Sequence, residues 1–276
     1  LLLCPAHQTS GDNDIMLTIA LRAYRRLTRA IPSLTDPLNR GIGALCTAAL
    51  GDDEKTELTR FCYQSSYHLL DAETGSLFPW EHDWFTAELP PAPASILVPA
   101  AGGGREMVAL ENMGYTVYGF DPAVQDSPNR NGVVRGSFRD LLTHREGHLQ
   151  LPGAFEKAVD AIVFGWGSLS HLYTTEARRT VLHAATECCP NGPVLLSYWA
   201  ETGAHRTSRA LHAMRTLGHG IARVRGMNTG GALACDFTPN AGLATHVSSQ
   251  ELMSYAEELN RRIRFGAGAY AHATLL

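Results

Sequence analysis

The chain has 276 residues, 45% of them apolar and 18% charged, and carries a formal net charge of −4 at pH 7. That length is enough to bury a sizeable core, in one large domain or one domain with a substantial appendage. The acidic balance argues against a broad nucleic-acid footprint, and no run reaches the roughly 18 apolar residues of a membrane span.

The start, Leu1 to Pro5, lacks a basic n-region and a full apolar h-region, so no signal peptide is read and a cytoplasmic chain is expected. Six cysteines (Cys4, Cys46, Cys62, Cys188, Cys189 and Cys235) show no C-x-x-C spacing. Free thiols in a reducing compartment are the expectation.

Residues 1–90 read as a helical cap. From Ile15 to Ile31, Leu17, Ile19, Leu21, Tyr24 and Leu27 alternate with Arg22, Arg25, Arg26 and Arg29. This is an amphipathic helix whose basic face is expected to be solvated. Asp36-Pro37 reads as the next helix start. Gly51-Asp52-Asp53-Glu54 reads as a third, its acids favourable at a helix N-terminus, with the helix running to about Ala72. The stretch Gly75 to Thr86 mixes Trp80 and Trp84 with Glu81, His82 and Asp83. It suits packing through Trp80 and a substrate mouth at Glu81 and His82. Leu89 to Ala94, proline-rich and stiff, marks the boundary to a second unit over 91–276.

Ile96 to Val98 is a short apolar run that fits a buried parallel strand. Gly102, Gly103 and Gly104 follow, where a bare backbone turns sharply and lies close to a ligand. Arg105 to Asn112 reads as a helix that stops at Gly114. Thr116 to Phe120 is a second strand, with Asp121 at its carboxyl end. In an open α/β sheet this layout seats adenosine over the glycine turn and ribose hydroxyls on the acid. A dinucleotide G-x-G-x-x-G is incomplete, because its third glycine falls on Met107 when counted from Gly102. The stretch instead resembles motif I of the class I S-adenosylmethionine-dependent methyltransferases, [D/E]-x-G-x-G-x-G. Gly102 and Gly104 match, the first glycine falls on Ala100, and the family acid falls on Val98. Another residue must then hold the cofactor's ammonium. Asp121 matches the family's ribose-binding acid.

The later elements extend the resemblance. Val133-Val134 reads as a third strand, followed by Ser137 and Phe138 where the family places adenine contacts. Val159 to Phe164 is a fourth strand, opening into Gly165, Trp166, Gly167 and Ser168, with His171 a few residues on. Thr174 or Thr175 caps a helix to about Glu187, and Val194 to Trp199 is the fifth strand. Residues 201–231 read as a basic insertion with His205, Arg209, His212, Arg215 and His219, expected to be a solvated helix face. A second reading makes it a hint of an anionic acceptor. Ala232 to Phe237 is read as the sixth strand, Ser248 as the cap of a last helix, and Ala269 to Leu276 as the last strand.

The resemblance implies an α/β fold, a seven-stranded mostly parallel doubly wound sheet of the Rossmann-like methyltransferase kind, its last strand antiparallel, under the N-terminal helical cap. It implies S-adenosyl-L-methionine as cofactor, S-adenosyl-L-homocysteine as product, and O- or N-methylation of a small metabolite or natural product. Cofactor-binding residues carried over are Ala100, Ala101, Gly102, Gly103, Gly104, Asp121, Pro122, Ser137, Phe138, Gly165, Trp166 and Gly167. Substrate contacts are assigned to Trp80, Glu81, His82 and Tyr198. His171 is the candidate general base, since an imidazole accepts a proton near neutral pH, and His246 is second choice. No metal is expected, since neither His144/His148 nor the seven-residue repeat His205/His212/His219 brings a carboxylate or thiolate. No nucleic-acid or membrane partner is implied. Two alternatives remain open: an oxidoreductase with a degenerate dinucleotide site, and a non-catalytic cofactor-binding partner subunit.

Overall fold

The run Ile96-Leu97-Val98 forms the middle of strand β1 (Ser95–Pro99), and its burial on both sides follows from its place in the sheet. The computed structural model describes residues 10–64, 76–124, 131–142, 158–201, 209–227, 233–267 and 270–276. Strand β1 lies between β2 (Thr116–Asp121) and β4 (Ala161–Phe164), both parallel to it. Strand β3 (Val134–Arg135) extends the sheet beyond β2, and β5 (Val194–Ser197) beyond β4. Strand β9 (His272–Leu275) runs antiparallel to β5, and β8 (Ile263–Phe265) closes the edge antiparallel to β9. The order is β3-β2-β1-β4-β5-β9-β8. This is the seven-stranded, mostly parallel sheet that the resemblance implies, with the last strand reversed.

Alternate side chains sort onto two faces, as the period of a strand requires. Leu97, Phe120, Ile162, Phe164, Val194 and Leu196 pack on one side, together with Val181 and Leu182 of α7 (Thr175–Cys188) and Leu252 of α9 (Ser249–Glu258). Ile96, Val98, Ala161, Val163 and Leu195 pack on the other. There they meet Met107 and Leu110 of α5 (Arg105–Asn112) and Trp84 and Phe85 of α4 (Pro79–Glu88). The sheet is doubly wound. The caps fall as expected, since Thr174 Oγ1 accepts from the Ala177 amide at 3.0 Å and Ser248 Oγ from Glu251 at 3.1 Å.

The cap is built from α1 (Ser10–Ala30), α2 (Pro32–Ala49) and α3 (Asp52–Gln64). Helix α3 starts at the acidic triplet, and Glu54 Oε2 accepts from the Gly51 amide at 3.1 Å. Its expected continuation toward Ala72 lies outside the described residues. Helix α2 begins at Pro32 rather than at Asp36-Pro37, because Pro32 takes the N-terminal position and Pro37 is carried inside the helix. The basic face of α1 is not wholly solvated. Arg25 is buried and donates to the carbonyls of Pro239 and Cys62, both at 2.8 Å.

The sixth sheet strand is also reassigned. Among the described residues, strand β6 (Cys235–Thr238) pairs only with β7 (Gly242–Thr245), in a separate hairpin. Its buried residues Cys235 and Phe237 join Leu21, Cys62, Tyr173 and Leu243 in the cap's own core. A Cβ at Gly43 would sit 2.3 Å from the Cys235 carbonyl oxygen, so α2 meets β6 backbone to backbone there. The true edge strand, β8, has half-buried and exposed residues and offers no apolar run to read. Helix α8 (Arg209–Val224), from the insertion, packs on α2 where Gly218 approaches Ala48 and Leu45. Among the described residues no helix is long and apolar enough to cross a membrane.

Candidate functional site

The backbone after β1 must reverse within a few residues to enter α5. Ala100 at φ 55°, Gly102 at 57° and Gly104 at 89° all take left-handed geometry. Glycine holds two of the three positions that need it. The bend is locked from the neighbouring strand: Asp121 Oδ2 accepts from the Gly102 amide at 2.8 Å, and Oδ1 from Ala123 at 2.7 Å. The carboxyl is buried, and burial pushes it up to about 6. Each oxygen keeps acceptor capacity beyond the amide it already holds.

A cavity of about 460 Å³ opens at this carboxyl edge of the sheet. That size falls within the range of small-molecule sites. Its floor is Ala100, Ala101, Gly102, Gly103, Asp121, Pro122, Gly165 and Trp166, with Ser137 and Phe138 beside β3. The structure thus brings together most of the residues assigned to the cofactor. Phe138 stacks on Phe164 at 5.9 Å. The Ser137 hydroxyl is engaged by Asp140 Oδ2 at 2.9 Å. Gly104 does not line the cavity; it packs against Asn131 and Val133, where a Cβ would fall within 2.9 Å of both. Gly167 faces a second, small cavity of about 30 Å³.

The roof comes from α3, through Asp52, Asp53, Thr56, Thr59, Arg60 and Tyr63. Beside Tyr63 lies His171, at the end of the 3₁₀ turn Ser168–His171. Its Nδ1 is 2.9 Å from the Leu243 carbonyl oxygen, which can only accept, so Nδ1 carries the proton. The other nitrogen, Nε2, is then the acceptor, and the Tyr63 hydroxyl meets it at 3.3 Å. Burial lowers the His171 pKa below the ordinary imidazole value, against the opposing Leu243 bond. The ring is a neutral base with a fixed tautomer. Ser168 Oγ, on the same wall, is buried without a hydrogen-bond partner. A buried hydroxyl in that state suits a polar ligand atom.

Trp80, Glu81, His82 and Tyr198, the residues assigned to the substrate, lie apart from the large cavity, and none borders it. Trp80 stacks on Trp84 and Tyr270. It shares the small cavity with Tyr198 and Trp166. Glu81 is buried and holds both Nη atoms of Arg105 at 2.7 Å. His82 is exposed beside Asp83. The cause is common to the first three: α4 lies against a face of the sheet, while the cavity opens at its end. His246 bonds Asp236 at 3.0 Å and also lines no part of the cavity. None of the basic residues of α8 lines it either; Arg225, just beyond the helix, pairs with Glu54 of α3. Among the described residues no three His, Cys, Asp or Glu side chains form a metal-binding group. His144, His148 and His205 lie outside the described residues.

Tyr63, Arg105, Glu106 and Ser168 were absent from the sequence assignment. The α3 residues do carry a signal, since 52, 56, 59 and 63 recur at helical spacing and share one face. Nothing local marks Ser168 or Glu106.

An open α/β sheet with a glycine bend held by an acid at its carboxyl edge is the layout in which nucleotide-bearing ligands are seated at that edge. No family model matches the chain, and no curated protein matches it. Among solved structures it is similar to DesVI of Streptomyces venezuelae, with 13% identity, covering 78% of this chain and 93% of that one, at a TM-score of 0.47. The sugar N-methyltransferase KedS8 from a Streptoalloteichus species gives 14% identity, 76% and 92% coverage, and a TM-score of 0.47. The magnesium protoporphyrin IX methyltransferase of Synechocystis, with bound S-adenosylhomocysteine, gives 16%, 75% and 81%, and 0.43.

Proposed function

We infer that the chain is an S-adenosylmethionine-dependent methyltransferase acting on a small-molecule acceptor by O- or N-methylation. The observation that carries this is the Asp121 carboxyl bonded to the Gly102 amide at the floor of a roughly 460 Å³ cavity. The residues fit a nucleoside. Asp121 retains acceptor capacity for ribose hydroxyls, Phe138 offers a ring face, and the bend leaves backbone open beside them. Asp121 and the 100–103 bend would hold the nucleoside, and Gly165 and Trp166 would border its tail. When bound, the cofactor supplies a sulfonium methyl group open to in-line displacement.

The remaining work belongs to the chain. Helix α3 closes the cavity from above, which orients an acceptor and limits water. An amine needs little help in this chemistry, whereas a hydroxyl must lose its proton. His171 Nε2 accepts that proton when the acceptor hydroxyl takes the place of the Tyr63 hydroxyl, with Nδ1–H held by Leu243. Of the arrangement expected for residues 1–90, helices α1 to α3 act as the lid of the cofactor-binding unit, while α4 joins that unit by packing on the sheet.

Calorimetry with S-adenosylmethionine, S-adenosylhomocysteine and NAD tests the cofactor. Binding of the first two and not of NAD is the expected result, and NAD binding alone would return the oxidoreductase reading. Transfer of a labelled methyl group into a metabolite extract then tests turnover. Cofactor binding without transfer to any acceptor would make the chain a binding partner only.

A further inference from the structure

The family acid at the end of the first strand is replaced here by Val98, which is buried in the sheet. A zwitterionic tail on the cofactor still has an ammonium to place. Strand order decides where that tail must run. Asp121 ends β2, on one side of β1, and Gly165 follows β4, on the other. A nucleoside held at Asp121 therefore sends its tail across the end of β1 toward Gly165.

Four acids line the cavity among the described residues: Asp52, Asp53, Glu106 and Asp121. Asp121 holds the bend and sits at the ribose end of the site, while Asp52 and Asp53 are exposed on α3. Glu106 is buried in the first turn of α5, and its carboxylate lies against Gly165. A Cβ built on that glycine would stand 3.2 Å from Glu106 Oε1. Glycine at 165 thus leaves the carboxylate its room at the tip of β4.

The charges around Glu106 do not cancel. Arg105 Nη2 bonds Glu106 Oε1 at 2.7 Å, but the same guanidinium also carries both oxygens of Glu81. Its Nη1 donates in addition to the Ser76 carbonyl at 2.9 Å. The Nη hydrogens are spent, and two carboxylates share one cation. Phe78 and Trp166, with ring centroids 4.8 and 5.5 Å from the guanidinium, fix it in place. Two carboxylates thus face one cation, and Glu106 is the member of the pair that lines the cavity. Burial raises the Glu106 pKa in spite of Arg105, as for a buried carboxylate short of a cation.

Building on the function proposed above, we propose that Glu106 takes the place of the missing strand-end acid and binds the α-ammonium of the cofactor's amino-acid tail. Arg105 is a positioning residue that aims the Glu106 carboxylate.

The test is calorimetric and compares two ligands. S-adenosylhomocysteine carries the ammonium; 5′-methylthioadenosine keeps the nucleoside and thioether but has no amino-acid tail. In Glu106→Gln, S-adenosylhomocysteine should bind at least tenfold more weakly, while 5′-methylthioadenosine binds within twofold of wild type. Retained 5′-methylthioadenosine binding is also the check that the variant is folded. Should Gln prevent folding, Glu106→Asp withdraws the carboxylate by one methylene and should give the same selective loss. Unchanged affinity for S-adenosylhomocysteine, or equal loss for both ligands in a folded variant, overturns the assignment. Wild-type chain that binds neither ligand overturns the underlying function and this inference with it.

Discussion

Asp121 is buried, and burial lifts its carboxyl from 3.8 to about 6 against the pull of the Ala123 and Gly102 amides. A raised acid holds its proton longer in the folded chain than in the unfolded one. Its contribution to stability is therefore present below pH 4 and lost as pH rises through about 6. Ligand binding runs the other way, because the ionised form is the stronger acceptor for ribose hydroxyls. Affinity for S-adenosylhomocysteine should be flat above about pH 6 and fall as much as about tenfold per pH unit below it. Asp121→Ala should weaken binding by about 1–3 kcal/mol and flatten that pH dependence; a folded variant with unchanged affinity would take Asp121 out of the site. His171 makes a separate demand. With its pKa held below the imidazole value, it is neutral above about pH 6.5. His171→Ala should lower kcat by about 100-fold or more, with little change in cofactor affinity, if the acceptor is a hydroxyl. Equal activity in the variant would leave the ring a structural tie between Tyr63 and Leu243.

The contact of α8 with α2 depends on a residue that isolated-helix energetics would replace. In an exposed helix, Gly→Ala gains about 1 kcal/mol. At Gly218, however, a Cβ would lie 2.7 Å from both the Leu45 carbonyl oxygen and Ala48 Cβ. Overpacking of that kind costs about 1–3 kcal/mol, so the steric term wins. Gly218→Ala should lower the urea midpoint with little change in m value, and a raised midpoint would mean that the two helices do not meet so closely. The same contact marks where the sequence stops being informative. The β1–bend–α5–β2 unit is legible because its causes are local: an apolar run, positions at Ala100, Gly102 and Gly104 needing positive φ, and an acid at a strand end. Cys235 to Thr238 is β-prone by the same local rules. Its place in the cap hairpin rather than the sheet goes with a close backbone contact at Gly43, nearly 200 positions away. Glu106 is illegible for a related reason, since its meaning comes from Gly165 across the cavity and from Glu81 competing for Arg105.

At the scale of the molecule, a buried cation helps tie the cap hairpin to the sheet. Arg178 of α7 is fully buried; its Nη1 holds both oxygens of Glu251 of α9, at 2.7 and 2.8 Å, and its Nη2 reaches Thr245 of β7 and the His246 carbonyl. Tyr255 adds a bond to Glu251 at 2.6 Å. The network joins both helices of one sheet face to the end of the hairpin, and the hairpin in turn sets Leu243, whose carbonyl fixes the His171 tautomer. Removing one partner of a buried pair costs about 3–5 kcal/mol, because the other charge stays behind without compensation. Arg178→Met should therefore destabilise the chain by about that amount in equilibrium urea unfolding. Arg178→Met combined with Glu251→Leu should recover part of the loss, as an apolar pair leaves no stranded carboxylate. If the double variant is as unstable as the sum of the singles, the two residues act independently and the buried pair does not couple α7 to α9. If Arg178→Met leaves stability intact but abolishes turnover, the tie works through the placement of Leu243 and His171 alone, and the stability role assigned to Arg178 is wrong.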